Sequence, residues 1–156
     1  MAAISWRGWG KPDFREQVAG DRKQQESKKM GVQSAKDLTV YQKAYSLAMR
    51  IFEASKNFPP EERWALTGQI RRSSRAVCNN LREAWAKRRY EAHFISKLTD
   101  CDGEANETDT SLDFASDAGY ISLDLHAELI ALNDEVCKML GSMIRNPKPF
   151  FLEGDR

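Results

Sequence analysis

Arg71, Arg75, Arg82 and Arg89 recur at steps of four, seven and seven residues. At about 100° of turn per residue, a helix carrying them holds all four within roughly 40° of one another. Aligned guanidinium groups repel unless something anionic lies across them. The stripe therefore calls for phosphate, or for carboxylates from another helix or another subunit. Arg72, Lys87 and Arg88 extend the charge, Cys78 and Trp85 lie along the stripe, and Trp85 is the side chain suited to stack on an exposed base. As a nucleic-acid surface, Arg71, Arg72, Arg75, Arg82, Trp85, Lys87, Arg88 and Arg89 would act together. As a subunit interface, the same arginines would pair with Asp100, Glu104 and Glu107 on the helix that follows, in a neighbouring copy.

Other chemistry has little to stand on. The histidines are His93 and His126, and the residues three before them are Tyr90 and Leu123, so the Glu-x-x-His pairing of a carboxylate-bridged metal site is absent. No phosphate-binding Gly-rich loop, dinucleotide turn or paired-cysteine zinc pattern occurs. Cys78, Cys101 and Cys137 fall on three separate expected helices without metal-ligand spacing, which suits small packing residues in a reducing compartment. These observations predict a chain without enzymatic activity, cofactor or metal. With no apolar run long enough to span a bilayer, the expected location is the cytoplasm.

The basic stripe needs a helix to carry it and partners to bury the opposite edge. Leu66, Ile70, Val77, Leu81 and Ala84 supply that edge, with Ser73 and Ser74 filling the seam. Upstream, Val40, Ala44, Leu47, Ile51, Ala54 and Phe58 step by four and three, predicting a first helix capped by Asp37 and ended near Asn57 by Pro59-Pro60. Downstream, Phe94, Leu98, Cys101, Ala105, Thr108, Leu112 and Ala115 predict a third helix. Gly119 suits its C-terminal cap and Ser122 the N-cap of a fourth. That fourth helix carries Leu125, Leu129, Leu132, Val136, Met139 and Met143 and stops at Asn146-Pro147. Four amphipathic segments with short connections and no alternating pattern predict an all-α, antiparallel up-down four-helix bundle over residues 37–147.

The remaining residues form tails. Residues 1–36 carry several glycines and too few periodic apolar positions to pack a core, predicting a flexible N-terminal tail. Trp6, Trp9 and Phe14 stand out in it as a docking motif or as incidental aromatics, and translation from Met30 would leave them outside the functional domain. Residues 148–156 form a C-terminal tail. Lys plus Arg number 24 against 23 Asp plus Glu, so net charge supplies no general attraction to polyanions. Its distribution is uneven. Residues 71–89 hold seven bases and one acid, Glu83, whereas residues 98–128 hold nine acids and no Lys or Arg.

The element Leu66, Thr67, Gln69, Ile70, Arg71, Arg72, followed by Asn80 and Glu83, resembles that of the four-helix-bundle proteins encoded in intervening sequences of large-subunit (23S) ribosomal RNA genes. The resemblance covers roughly residues 36–147. Relatives of that family include accessory proteins of diversity-generating retroelements, which form pentameric barrels and bind nucleic acid and a reverse transcriptase. The resemblance implies a homo-oligomer, a pentamer, with a basic surface for RNA or DNA and no known enzymatic activity. Many members have a proline midway through helix 2 and a glycine after the glutamate. Here Cys78 and Ala84 stand in their place, which predicts a straighter helix 2. Asn80 and Glu83 are expected to cross-link neighbouring helices by polar contacts.

Overall fold

The computed structural model describes residues 31–152. Of the expected N-terminal tail, residues 1–30, with Trp6, Trp9 and Phe14, lie outside the described residues. Four helices make up the fold: α1 (Thr39–Ser55), α2 (Leu66–Lys87), α3 (Glu91–Asp117) and α4 (Leu123–Arg145). No strand occurs among the described residues. Each helix packs on its two neighbours in the cyclic order α1, α2, α3, α4, which is the up-down bundle expected.

Local chemistry sets the helix ends. Ser34 and Asp37 form a capping box around a single 3-10 turn, Ala35–Asp37: Ser34 Oγ accepts from the Lys36 amide at 3.3 Å and the Asp37 carboxylate from the Ser34 amide at 2.8 Å. Asp37 therefore caps this preceding turn, not α1 as its position suggested. The N-cap of α1 is Leu38, which makes no side-chain bond. The turn is tied into the bundle by Ala35 and Leu38, both buried. α2 borrows its cap from the link before it, where the Glu62 carboxylate accepts from the Leu66 amide at 3.1 Å and from the Tyr120 hydroxyl at 3.1 Å. α2 then runs unbroken for 22 residues.

Gly119, at φ 74°, closes α3. Its amide donates to Ser116 O at 2.9 Å and that of Tyr120 to Ala115 O at 2.8 Å, a Schellman arrangement that needs the left-handed backbone only glycine adopts without strain. Ser122 caps α4 by accepting from the Leu125 amide at 3.1 Å. At the far end a 3-10 turn, Lys148–Phe150, carries Phe150 and Phe151 back onto buried Phe94, with ring centroids 6.0 and 5.9 Å away.

The apolar seams meet in two clusters. One holds Ala44, Val77, Leu81, Phe94, Leu98, Val136 and Leu140, the other Leu47, Ile51, Ile70, Leu112 and Leu129. All seven positions expected to form the α3 seam are buried. In α4 the buried line is Leu129, Asn133, Val136, Leu140 and Met143, turned slightly from the expected stripe, so that Leu125, Leu132 and Met139 sit at its edge. A polar layer separates the clusters along α2, α3 and α4. Thr108 Oγ1 lies 2.9 Å from Ser73 Oγ and 2.9 Å from Glu104 O, and Asn133 Nδ2 donates to Ala105 O at 3.0 Å.

Candidate nucleic-acid interface

The basic edge of α2 lies along its border with α1, and what α1 presents there sorts the arginines. Phe52 sits on that flank, with the Arg71 and Arg75 guanidinium carbons 4.9 and 5.6 Å from its ring centroid. Arg71 Nε also donates to Ser55 Oγ at 2.7 Å. Arg71 is thus a half-buried bridge between helices, whereas Arg75 and Arg82 are exposed. Farther along, Tyr41 lies close enough to Arg82 and Cys78 for both to act on its hydroxyl. Burial is the largest influence and pushes that hydroxyl up, Cys78 raises it further, and Arg82 opposes both.

Arg72 faces the other way. It pairs with Glu104 and Glu107 of α3, at 3.2 Å to the former. Hydrogen bonds to both carboxylates raise the Arg72 pKa, Glu107 contributing most, and the bond from Arg72 holds the Glu107 carboxyl below its ordinary range. Asp100 is joined to Lys97 at 3.1 Å, and Lys97 to Glu83 at 2.9 Å, so Glu83 links α2 to α3 as expected. The three acids named from the sequence as interface residues are accordingly all engaged within this chain. Two further ion pairs, Lys43 with Glu135 and Arg50 with Glu128, join α1 to α4.

At the C-terminal end of α2, Arg88 folds back over Trp85. Its guanidinium carbon is 4.1 Å from the ring centroid and its Nη1 donates to Trp85 O at 2.6 Å. Trp85 is half-buried against the core. Its ring thus already carries a cation on the face that would otherwise receive a base. Lys87 and Arg89 are exposed. Among the described residues, no ion pair engages Arg71, Arg75 or Arg82.

Sequence periodicity missed the aromatic contribution of α1. Tyr41, Tyr45 and Phe52 share one helical flank through their spacing of four and seven residues, the same rhythm as the arginines opposite them. Tyr41 and Tyr45 stack with centroids 6.3 Å apart and planes inclined by 20°. Tyr45 is 54% exposed and Met49, one turn on, 44%. The signal was present in the sequence, but an aromatic pair on an amphipathic helix reads equally well as core.

The remaining reactive groups are dispersed. His93 opens α3 and His126 lies in the first turns of α4, which an antiparallel bundle places at opposite ends. His126 Nε2 is 2.8 Å from Asp113 Oδ1, and the Tyr90 ring meets that of His93. Cys78 and Cys101 are buried, and desolvation raises their thiols to about 11 and about 12. No cluster of His, Cys, Asp or Glu able to hold a metal ion occurs among the described residues, nor any helix long and apolar enough to cross a membrane.

Nothing among curated proteins matches the chain. Among solved structures, it is similar to a protein of unknown function from the S23 ribosomal protein family of Bacteroides thetaiotaomicron. The two are 30% identical, the match covers 69% of this chain and 100% of that one, and the TM-score is 0.63. Residues 36–142, which include all of α1, α2 and α3 and most of α4, match the family described as 23S rRNA-intervening sequence protein. On that match and that structural likeness, the chain belongs to the 23S rRNA-intervening sequence protein family.

Proposed function

We propose that this protein is a non-enzymatic nucleic-acid-binding bundle of the cytoplasm, acting on RNA or DNA through the α1 side of α2. The observation that carries the reading is the asymmetry of the arginines. The acids of α3 neutralise Arg72, while Arg75 and Arg82 stand exposed with no carboxylate paired to them. Phosphate answers that arrangement. The family's description, which refers to an intervening sequence of ribosomal RNA, supports RNA as the first polymer to test.

Self-association into a closed ring, a pentamer on the resemblance of the sequence, repeats the face around the assembly and strengthens binding by multivalency. Within the same proposal the bundle is an accessory to ribosomal RNA or to a reverse transcriptase. The competing reading, in which α2 pairs with acidic α3 of a neighbour, is weakened because Glu104, Glu107 and Asp100 already have partners in their own chain.

The test is a salt titration of binding. Each phosphate neutralised contributes a slope of roughly −0.7 for single strands or −0.9 for duplex DNA in a plot of log affinity against log salt. Arg75→Ala with Arg82→Ala should weaken binding and flatten that slope while light scattering still reports the wild-type assembly. Full binding by the double mutant would refute the proposal, and dissociation of the assembly would establish the interface reading instead.

A further inference from the structure

The Trp85 ring is covered by Arg88 and the Phe52 ring by Arg71 and Arg75, so along the α1–α2 seam the exposed aromatic ring among the described residues is that of Tyr45. Tyr45 is held in place from one side by its stack on Tyr41. On its other side opens a shallow hollow of about 560 Å³, lined by Tyr45, Ser46, Met49, Arg50, Glu53, Ala54 and Leu125. Most of the lining surface is apolar, and Arg50 is already paired with Glu128. Tyr45 thus belongs both to a basic seam and to an apolar recess, a combination that single-stranded polynucleotide satisfies and duplex does not.

We propose that this face selects single strands over duplexes, with Tyr45 as the stacking platform for an unpaired base and Arg75 and Arg82 as the contacts to its phosphates. The inference rests on the nucleic-acid reading above and adds the form of the ligand. Packed helix axes lie about 8–10 Å apart, so a strand crossing from α2 to α1 needs only a nucleotide or two to reach from arginine to tyrosine. In a duplex the bases are paired and stacked on each other, and an exposed ring beside the backbone finds nothing to stack on. Stacking tolerates any base, because every base has a π-face. Weak sequence preference and strong strand preference therefore go together.

The experiment measures anisotropy of the full chain with labelled oligouridine, oligothymidine of equal length and a blunt RNA duplex. Single strands are expected to bind about tenfold tighter than duplex. Tyr45→Ala should cost about tenfold on single strands and nothing on duplex, whereas Tyr45→Phe should keep the preference. Equal binding of oligouridine and oligothymidine assigns the contact to base and phosphate, and a preference for either adds a contribution of the 2′-hydroxyl or of the thymine methyl; all three support the proposal. Loss of affinity for single strand and duplex alike, or none for either, overturns it while leaving the Arg75 and Arg82 test of the broader reading intact. Dissociation of an oligomer by Tyr45→Ala without strand-specific loss makes the face an interface between copies and also overturns it. Failure of wild-type protein to bind any polynucleotide removes both readings together.

Discussion

Arg71 lies over the ring of Phe52, 4.9 Å from its centroid, while its Nε donates to Ser55 at 2.7 Å. One arginine of the stripe thus acts as a structural bridge from α2 to α1. Arg71→Ala is expected to lower stability by about 1 kcal/mol, from the lost cation–π contact and hydrogen bond. Exposed Arg75→Ala should cost clearly less. Thermal melts of the two single mutants check the difference, and equal melting temperatures would deny Arg71 its structural part.

Arg72 and Glu107 give stability a pH dependence. The bond from Arg72 holds the Glu107 carboxyl below its ordinary value of 4.5, so the folded state binds that proton less readily than the unfolded one. The contribution is fully present above pH 4.5 and is lost as pH falls through the lower folded-state value. Its size is that of a surface pair, at most about 1 kcal/mol, because Arg72 is more than half exposed. Arg72→Ala should therefore destabilise at neutral pH and converge on wild type in acid, as read by denaturant titration at both pH values.

Asn133 is 1% exposed and donates to Ala105 O, but its Oδ1 has no partner among the described residues. An unmade buried hydrogen bond costs about 1–3 kcal/mol, and leucine repeats the branched heavy-atom frame of asparagine without its polar atoms. Asn133→Leu is expected to raise the melting temperature. A fall of several degrees would show that the amide oxygen is satisfied and that the polar layer holds the bundle in register.

The thiols should react in order of access. Desolvation pushes Cys78 and Cys137 up to about 11 and Cys101 to about 12, which keeps the nucleophilic thiolate scarce near neutral pH. Half-buried Cys137 is expected to react with a disulfide reagent first, Cys78 later, and fully buried Cys101 only on unfolding. Fast labelling of Cys101 in native protein would contradict the closed core.

Gly119→Ala tests the turn between α3 and α4. Apart from its own backbone and its two chain neighbours, no atom lies within 4 Å of the added methyl, so the cost is conformational, about 1 kcal/mol for a left-handed residue. Chemical denaturation measures it. An unchanged midpoint would mean that the turn relaxes to a right-handed backbone.

The sequence by itself determined the elements. Steps of three and four placed the buried seams of α1, α2 and α3, Gly119 and Ser122 marked the α3–α4 turn, and the arginine spacing defined the basic edge of α2. These are local properties, readable because side chains three and four apart share a helix face. The cap at Asp37 was misplaced because its carboxylate reaches back to the Ser34 amide and closes the turn before α1, a bond that residue type and position alone do not reveal. In α4, Asn133 interrupted the apolar line and shifted its apparent centre.

Tertiary structure decided which charges remain available. Arg72 and Glu104 are 32 residues apart, and nothing in either helix's own periodicity states that α3 will bring them together. The same holds for Arg71 with Ser55, and for Tyr45 on the open side of the α1–α2 seam. Whether a side chain is spent on a neighbouring helix or left for a ligand depends on the rotation of two packed helices about their axes. That rotation is set by the packing of the whole core, not by any one helix.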